Sequence, residues 1–378
     1  MDSDVPRLTI GMEEEYFVVD RDSRDLVPDL PDSLLAKLGD PPVGATSPEF
    51  IRSQVEIGTP VSGDITELSE HLCTMRRFVS DTVSEHNMAI IASSTHPFAE
   101  WGSQRHVNKR RYNILAEALQ GVVRRLLICG MHVHIGIDDE DQRIDMMNQV
   151  SYFLPHLLAL SGSSPFWHGE DTGLKSYRPA IFRALPRTGL PDEFLSWSDY
   201  RRHVDVLVDT GVIEDASKLW WDIRPSDRYP TLEMRSADIC TRYEDGITIA
   251  AVYQAIIAML HHRRMNNQKW RIYSRMLISE NSWRAQRYGV DEPLIDFGRS
   301  ELVSMDRLMD ELVDVVRDHA NALGSLRQVE RVKEIVAEGT SADRQRGVFE
   351  NAISDGADPR EALRVVVDHL IVETVEGL

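Results

Sequence analysis

Four short stretches carry polar side chains two residues apart, most of them acid, imidazole or guanidinium. They are Glu13 and Glu15 in "TIGMEEEYFVVD", Gln54 and Glu56 in "FIRSQVEIGT", His132 and His134 in "GMHVHIGI", and Glu233 and Arg235 in "TLEMRSAD". In a β-strand, residues i and i+2 share a face. The residues between them are mostly apolar: Met12 and Tyr16, Val55 and Ile57, Met131, Val133 and Ile135, Leu232 and Met234. Each stretch therefore reads as a strand with one packing face and one polar face. A sheet with one wet face would alternate in the same way. A merely solvated face would normally use Thr, Ser, Lys and mixed charges, whereas glutamate, histidine and arginine together are the donor set of a divalent-metal and phosphate site. If the four strands are neighbours, these groups converge on one surface. Carboxylates crowded together repel unless a cation sits among them or some take up protons. Glutamate-rich ligation with a histidine and no thiolate suits Mg²⁺ or Mn²⁺ better than Zn²⁺. Glu14 points the other way, so the alternation predicts an arginine partner behind the sheet or exposure at an edge.

The elements around these strands follow from local signals. Residues up to about 62 read as short strands joined by Pro/Gly/Asp turns. "GDITELSEHLCTMRRFVSDTVSEHN" reads as a helix, with Asp64 as N-cap and Glu67 completing a capping box. "MAIIASSTHPF" and "LLICGMHVHIGID" read as strands, and residues 106–126 and 139–161 as helices. Residues 163–191 show little periodicity and are expected to form a long functional loop carrying Arg178, Arg183 and Arg187. "KLWWDIRPS" and "PTLEMRSADI" follow as strands. From about residue 242 onward the pattern reads as helix, ending in a segment with Asp358 as N-cap and Pro359 at its first position. The sum is an α+β chain with a mostly antiparallel sheet surrounded by helices. Neither GxGxxG nor GxxxxGK[ST] occurs, which disfavours the nucleotide folds built on those loops.

The chain has 378 residues and can bury a large core; a formal charge of −19 argues against nucleic acid or an anionic membrane as partner. Arginine clusters still allow phosphate or carboxylate ligands, and Arg284 and Arg287 in "ENSWRAQRYG" are candidates for such contacts. Three scattered cysteines give neither a disulfide framework nor a zinc ribbon. With no signal peptide pattern and no apolar run of spanning length, the expectation is a cytoplasmic protein.

The stretches "GMEEEYFVVD", "QVEIGTPV", "STHPFAEW", "GMHVHIGI", "SPFWHGEDTG", "DIRPSDRYPTLEMRSAD" and "ENSWRAQRYG" together resemble the bacterial ATP-dependent carboxylate–amine ligases known as type 2 glutamate–cysteine ligases. The resemblance runs in order over about residues 8–290. It implies the curved antiparallel sheet of the glutamine synthetase superfamily, folded into a funnel. ATP and an amino acid would enter it from opposite ends, with Mg²⁺ or Mn²⁺ between them. Carried onto this chain, it implies Glu13, Glu15, Glu56, His132 and Glu233 as metal ligands. Arg235 would face phosphate, and His134 and Glu49 would contact substrate or serve as base. Arg178, Arg284 and Arg287 would bind nucleotide or substrate carboxylate. The resemblance further implies small-molecule substrates such as glutamate and cysteine and, together with the chain's size, a homodimer. The chain is expected to form a single catalytic domain over 1–378, with a sheet-containing core over 1–290 and a helical extension over 291–378 that carries no signature of its own. A divalent-metal-dependent hydrolase using the strand-borne His pair is the competing expectation.

Overall fold

The structure, a computed structural model, describes residues 8–49, 51–103, 117, 119–122 and 125–378. The helix expected over 106–126 falls largely outside these residues. Seven strands form the main sheet: β1 (Ile10–Asp20), β2 (Ala45–Pro48), β3 (Gln54–Gly58), β4 (Met88–Ile91), β5 (Met131–Gly136), β6 (Ile223–Pro225) and β7 (Thr231–Met234). Their order is β6-β7-β5-β1-β3-β2, with β4 also on β1, and every pairing is antiparallel. The four strands with polar pairs are thus consecutive neighbours: β7, β5, β1, β3.

Burial along β1 alternates as the period of two requires. Ile10, Met12, Glu14 and Tyr16 are buried, while Gly11, Glu13 and Glu15 face a half-open side. The buried face packs on the helix Ile65–Ser84, and the helix Tyr243–Met265 lies against β5. The second helix is buried almost continuously from Asp245 to Leu260, as expected of a helix apolar on all sides at the centre of a large core. The C-terminal helix Pro359–Val375 packs on β4 and on Ile65–Ser84, where Thr374 Oγ1 accepts the Ala92 N–H at 2.9 Å. No helix among the described residues is long and apolar enough to cross a membrane.

Local capping works as the sequence implies, with one shift. Asp64 accepts the Thr66 and Glu67 N–H groups, but the Glu67 carboxylate returns to Gly63 N rather than to Asp64 N. Asp358 and Glu361 form a full capping box. Elsewhere the structure departs from expectation. A helix, Asp32–Leu38, lies in the region read as strands. The helix read over 139–161 is broken by a 3₁₀ turn at Ser151–Phe153, because Pro155 cannot donate into a continuous ladder. Residues 163–191 contain the helix Arg178–Phe182, and a further helix, Trp197–Asp209, starts on the Ser196 cap. A hairpin, Leu294–Asp296 with Glu301–Val303, interrupts the region read as wholly helical.

The segment after β4 is anchored by a neutral histidine. His96 is fully buried. Its Nδ1 accepts the Phe98 and Ala99 N–H groups at 3.2 and 3.0 Å, so its Nε2–H donates to Arg24 O at 2.9 Å. Burial pushes its pKa down to about 4, and burial does the same to His156. The unfolded chain therefore binds more protons than the folded one between about pH 6.5 and 4, and stability falls as pH drops through that window. The loss for His96 should be on the order of 3 kcal/mol. Urea denaturation from pH 7 to pH 4 checks this: His96→Gln should flatten the slope, and an unchanged slope would refute the assignment.

Candidate active site

The strand register sets the site. Glu13 lies opposite His132, Glu15 opposite Glu56, and Glu233 opposite His134. Directly opposed side chains on one face of an antiparallel pair are in contact range. Two groups of donors result. One ligand atom each from Glu13, His134 and Glu233 lie within 4.8 Å of one another, as do carboxylate oxygens of Glu15, Glu49 and Glu56.

Each group has its own electrostatics. Burial alone would raise the Glu13 pKa, but His132 Nδ1 at 3.1 Å from Oε2 and His134 Nε2 at 3.6 Å from Oε1 hold it far below the carboxylate range. Burial likewise acts upward on Glu233, and is overcome by Arg235 and Arg224. Arg224 grips Glu233 with two bonds, Nε to Oε2 at 2.8 Å and Nη2 to Oε1 at 3.2 Å, and Arg235 Nη1 pairs with Oε1. His132 is pushed down by burial and by Arg235, which favours the neutral imidazole. For His134, burial acts downward but the bond to Glu13 wins and raises it. Its Nδ1 meets Thr231 Oγ1 at 2.9 Å, which orients the ring. Glu56 is the opposite case: burial and the charges of Glu49, Glu13 and Glu15 push its carboxyl well above the ordinary range, against one hydroxyl bond from Ser47 at 2.9 Å.

This donor set fits divalent cations. Three carboxylates crowded at Glu15, Glu49 and Glu56 are the oxygen ligands a hard cation takes. The second group adds one imidazole to two carboxylates. His132 Nε2 is buried without a hydrogen-bond partner among the described residues. Unsatisfied buried nitrogens are uncommon and point to a missing partner.

The structure therefore gathers Glu13, Glu15, Glu49, Glu56, His132, His134, Glu233 and Arg235 on one face. His134, which the sequence reading set aside for substrate, groups with Glu13 and Glu233, whereas His132 directs Nδ1 at Glu13 and stands outside both groups. Arg178 is buried at the margin of this face. Its Nη1 donates to the carbonyls of Ala237 at 3.2 Å and Arg235 at 3.3 Å, and its guanidinium fills the space where a side chain at Gly130 would go. Gly130 N in turn donates to Glu15 Oε2 at 2.7 Å.

Arg284 and Arg287 are not brought to this face by any contact among the described residues. Arg284 Nε donates to Pro293 O at 2.7 Å, Arg287 Nη1 pairs with Gly173 O, and both guanidiniums lie over the Tyr288 ring. Their helix, Arg275–Tyr288, uses them to tie down loops. Sequence reasoning missed Arg224, Ser47 and Thr231. Arg224 had a signal: the turn in "IRPSDRYPTLE" closes a hairpin that places Arg224 opposite Glu233.

The sequence model of glutamate–cysteine ligase family 2 matches residues 9–368. A Rhodospirillum rubrum protein carrying the provisional name glutamate–cysteine ligase 2 is 54% identical over 377 residues, covering 99% of this chain and 97% of its own. A Ruegeria pomeroyi protein of the same name is 52% identical over 365 residues, covering 97% and 94%. Among solved structures, the Francisella tularensis glutamate–cysteine ligase in complex with AMP superposes with TM-score 0.70 at 14% identity, over 98% of this chain and 89% of that one. The bifunctional glutathione synthetase of Pasteurella multocida gives 0.69 at 14% identity, over 96% and 52%. The antiparallel-sheet fold is thus that of the glutamate–cysteine ligases, and the chain belongs to glutamate–cysteine ligase family 2. It is an enzyme of the carboxylate–amine ligase class, which sets aside the hydrolase expectation.

Proposed function

We propose that the protein joins an amino-acid carboxylate to an amine, using ATP and Mg²⁺ or Mn²⁺, through an acyl phosphate. Glutamate and cysteine are the first substrates to try, since the relatives are named for them. The observation that carries the reading is the convergence of acids and imidazoles from four adjacent strands around a buried arginine. A carboxylate and a triphosphate repel, so a site that joins them must concentrate positive charge where they meet.

Glu13, His134 and Glu233 would hold one cation, and Glu15, Glu49 and Glu56 a second. Bound there, the ions supply charge neutralisation for phosphate and carboxylate oxygens. The chain's own residues do the rest. Arg235 is held by Glu233 and keeps its buried Nε without a partner among the described residues, as a donor for an anionic oxygen. Arg224 fixes the Glu233 carboxylate, and Thr231 fixes the His134 ring. Arg178 adds a buried positive charge at the margin.

Release of inorganic phosphate from ATP with glutamate and a panel of amines should require Mg²⁺ or Mn²⁺. It should cease with EDTA and survive a zinc-selective chelator. Phosphate release indifferent to EDTA, or none with any acid and amine pair, would sink this reading.

A further inference from the structure

A cavity of about 420 Å³ is lined by residues outside the acidic face and takes no part in the chemistry above. Its walls include Trp101, Trp167, Tyr177 and His168, with Arg125 at the rim. The volume lies in the range of small-molecule sites. Aromatic rings form its walls: His168 stands edge-on to Trp167 at 4.8 Å and to Trp101 at 6.4 Å, and Trp167 lies 6.0 Å from Tyr177.

His168 sits at the tip of the hairpin Phe166–Trp167 with Glu170–Asp171, and its φ of 53°, like the 85° of Gly169, is the positive φ that a two-residue hairpin turn requires. Nδ1 lies 3.0 Å from Glu100 Oε2, so Nδ1–H donates to the carboxylate and, in the neutral ring, Nε2 is the acceptor. That Nε2 is buried and has no hydrogen-bond partner among the described residues. Arg125 lies over the Trp101 ring with its Cζ 5.8 Å from the centroid, and the residue is exposed. Tyr177 runs directly into Arg178, whose guanidinium supports the Gly130 loop beside Glu15. The chain thus runs from the cavity lining at Tyr177 directly to a residue that supports the acidic face.

We propose that this cavity binds the amine substrate, and that the amine is an amino acid with an apolar or aromatic side chain. Aromatic faces attract an ammonium group and bury an apolar side chain. Nε2 of His168 accepts an N–H of the amine, and Arg125 offers a fork for its carboxylate. The ring-lined walls suit a larger apolar group than the thiol of cysteine. The amine-substrate role rests on the ligase reading; the amino-acid site itself does not.

Tryptophan fluorescence titration of the full-length protein tests it, with L-phenylalanine as the probe. 3-Phenylpropionate lacks the amine, phenethylamine lacks the carboxylate, and AMP probes nucleotide binding. L-Phenylalanine should bind saturably and at least tenfold more tightly than either truncated compound. Trp167→Leu and His168→Gly should each weaken it at least tenfold; glycine accepts the positive φ at 168, so the second variant keeps its backbone. Glu13→Gln should bind L-phenylalanine as the wild type does. In turnover assays Trp167→Leu should raise KM for the amine at least tenfold. No binding of L-phenylalanine, binding indifferent to Trp167→Leu and His168→Gly, or AMP binding that Trp167→Leu abolishes would overturn the proposal. Binding as expected without phosphate release would overturn the ligase reading and leave the amino-acid site standing.

Discussion

Glu13→Gln should lower ATP turnover by about a thousandfold, on the order of 4 kcal/mol of transition-state stabilisation, while the protein stays folded. Glu13 is the hinge of the site. It faces His132 across the sheet, reaches His134, and shares the donor group with Glu233. The amide keeps the shape but gives up the charge that offsets a cation and one strong donor oxygen. Its side chain is about a third exposed, so water can accommodate the change and the fold should tolerate it. Glu233→Gln should be as inactive, but with a second effect. Glu233 is 2% exposed and lies between Arg224 and Arg235, so its loss leaves two buried cations facing each other. Steady-state phosphate release together with urea denaturation separates the two cases. A Glu13→Gln enzyme that keeps most of its activity would refute the metal assignment.

Glu14→Gln should do the reverse: lose stability and keep activity per folded molecule within several-fold of wild type. Glu14 and Arg76 are both fully buried and joined by two bonds of 2.7 Å, Nε to Oε2 and Nη2 to Oε1. Arg76 also donates to the carbonyls of Thr241 at 2.7 Å and Cys240 at 2.8 Å, so it stitches β1 to the start of the helix Tyr243–Met265. Breaking a buried pair from one side typically costs about 3–5 kcal/mol, because the remaining charge stays desolvated. Against a total stability of roughly 5–15 kcal/mol, that is a large fraction. Replacing both residues by methionine should recover part of the loss, since the desolvation of both charges is then removed. Denaturation midpoints and activity corrected for the folded fraction are the measurements. A Glu14→Gln protein as stable as wild type, or as inactive per folded molecule as Glu13→Gln, would contradict the role assigned to this pair.

The contrast between two adjacent glutamates shows what the chain alone determined. Strand side chains alternate, so "MEEEY" by itself decides that Glu13 and Glu15 share one face and Glu14 the other. The same phase argument holds for His132 with His134 and for Glu233 with Arg235. The Asp64 and Asp358 caps are equally local, because a cap and the N–H groups it accepts lie within three residues. Strand order is not local. Nothing in the spacing of one strand says which strand it pairs with or in which register. Only the assembled sheet, with β5 and β3 on either side of β1, brings Glu13 to His132 and Glu15 to Glu56. Tertiary structure also chose Arg76 as the partner of Glu14, over a separation of 62 residues, and grouped His134 rather than His132 with Glu13 and Glu233. It tied Arg284 and Arg287 to loop carbonyls and supplied Arg224 instead. The physical reason is the same throughout. Backbone geometry repeats over two residues and dictates facing, whereas contact depends on packing between segments distant in the chain, which no short pattern encodes.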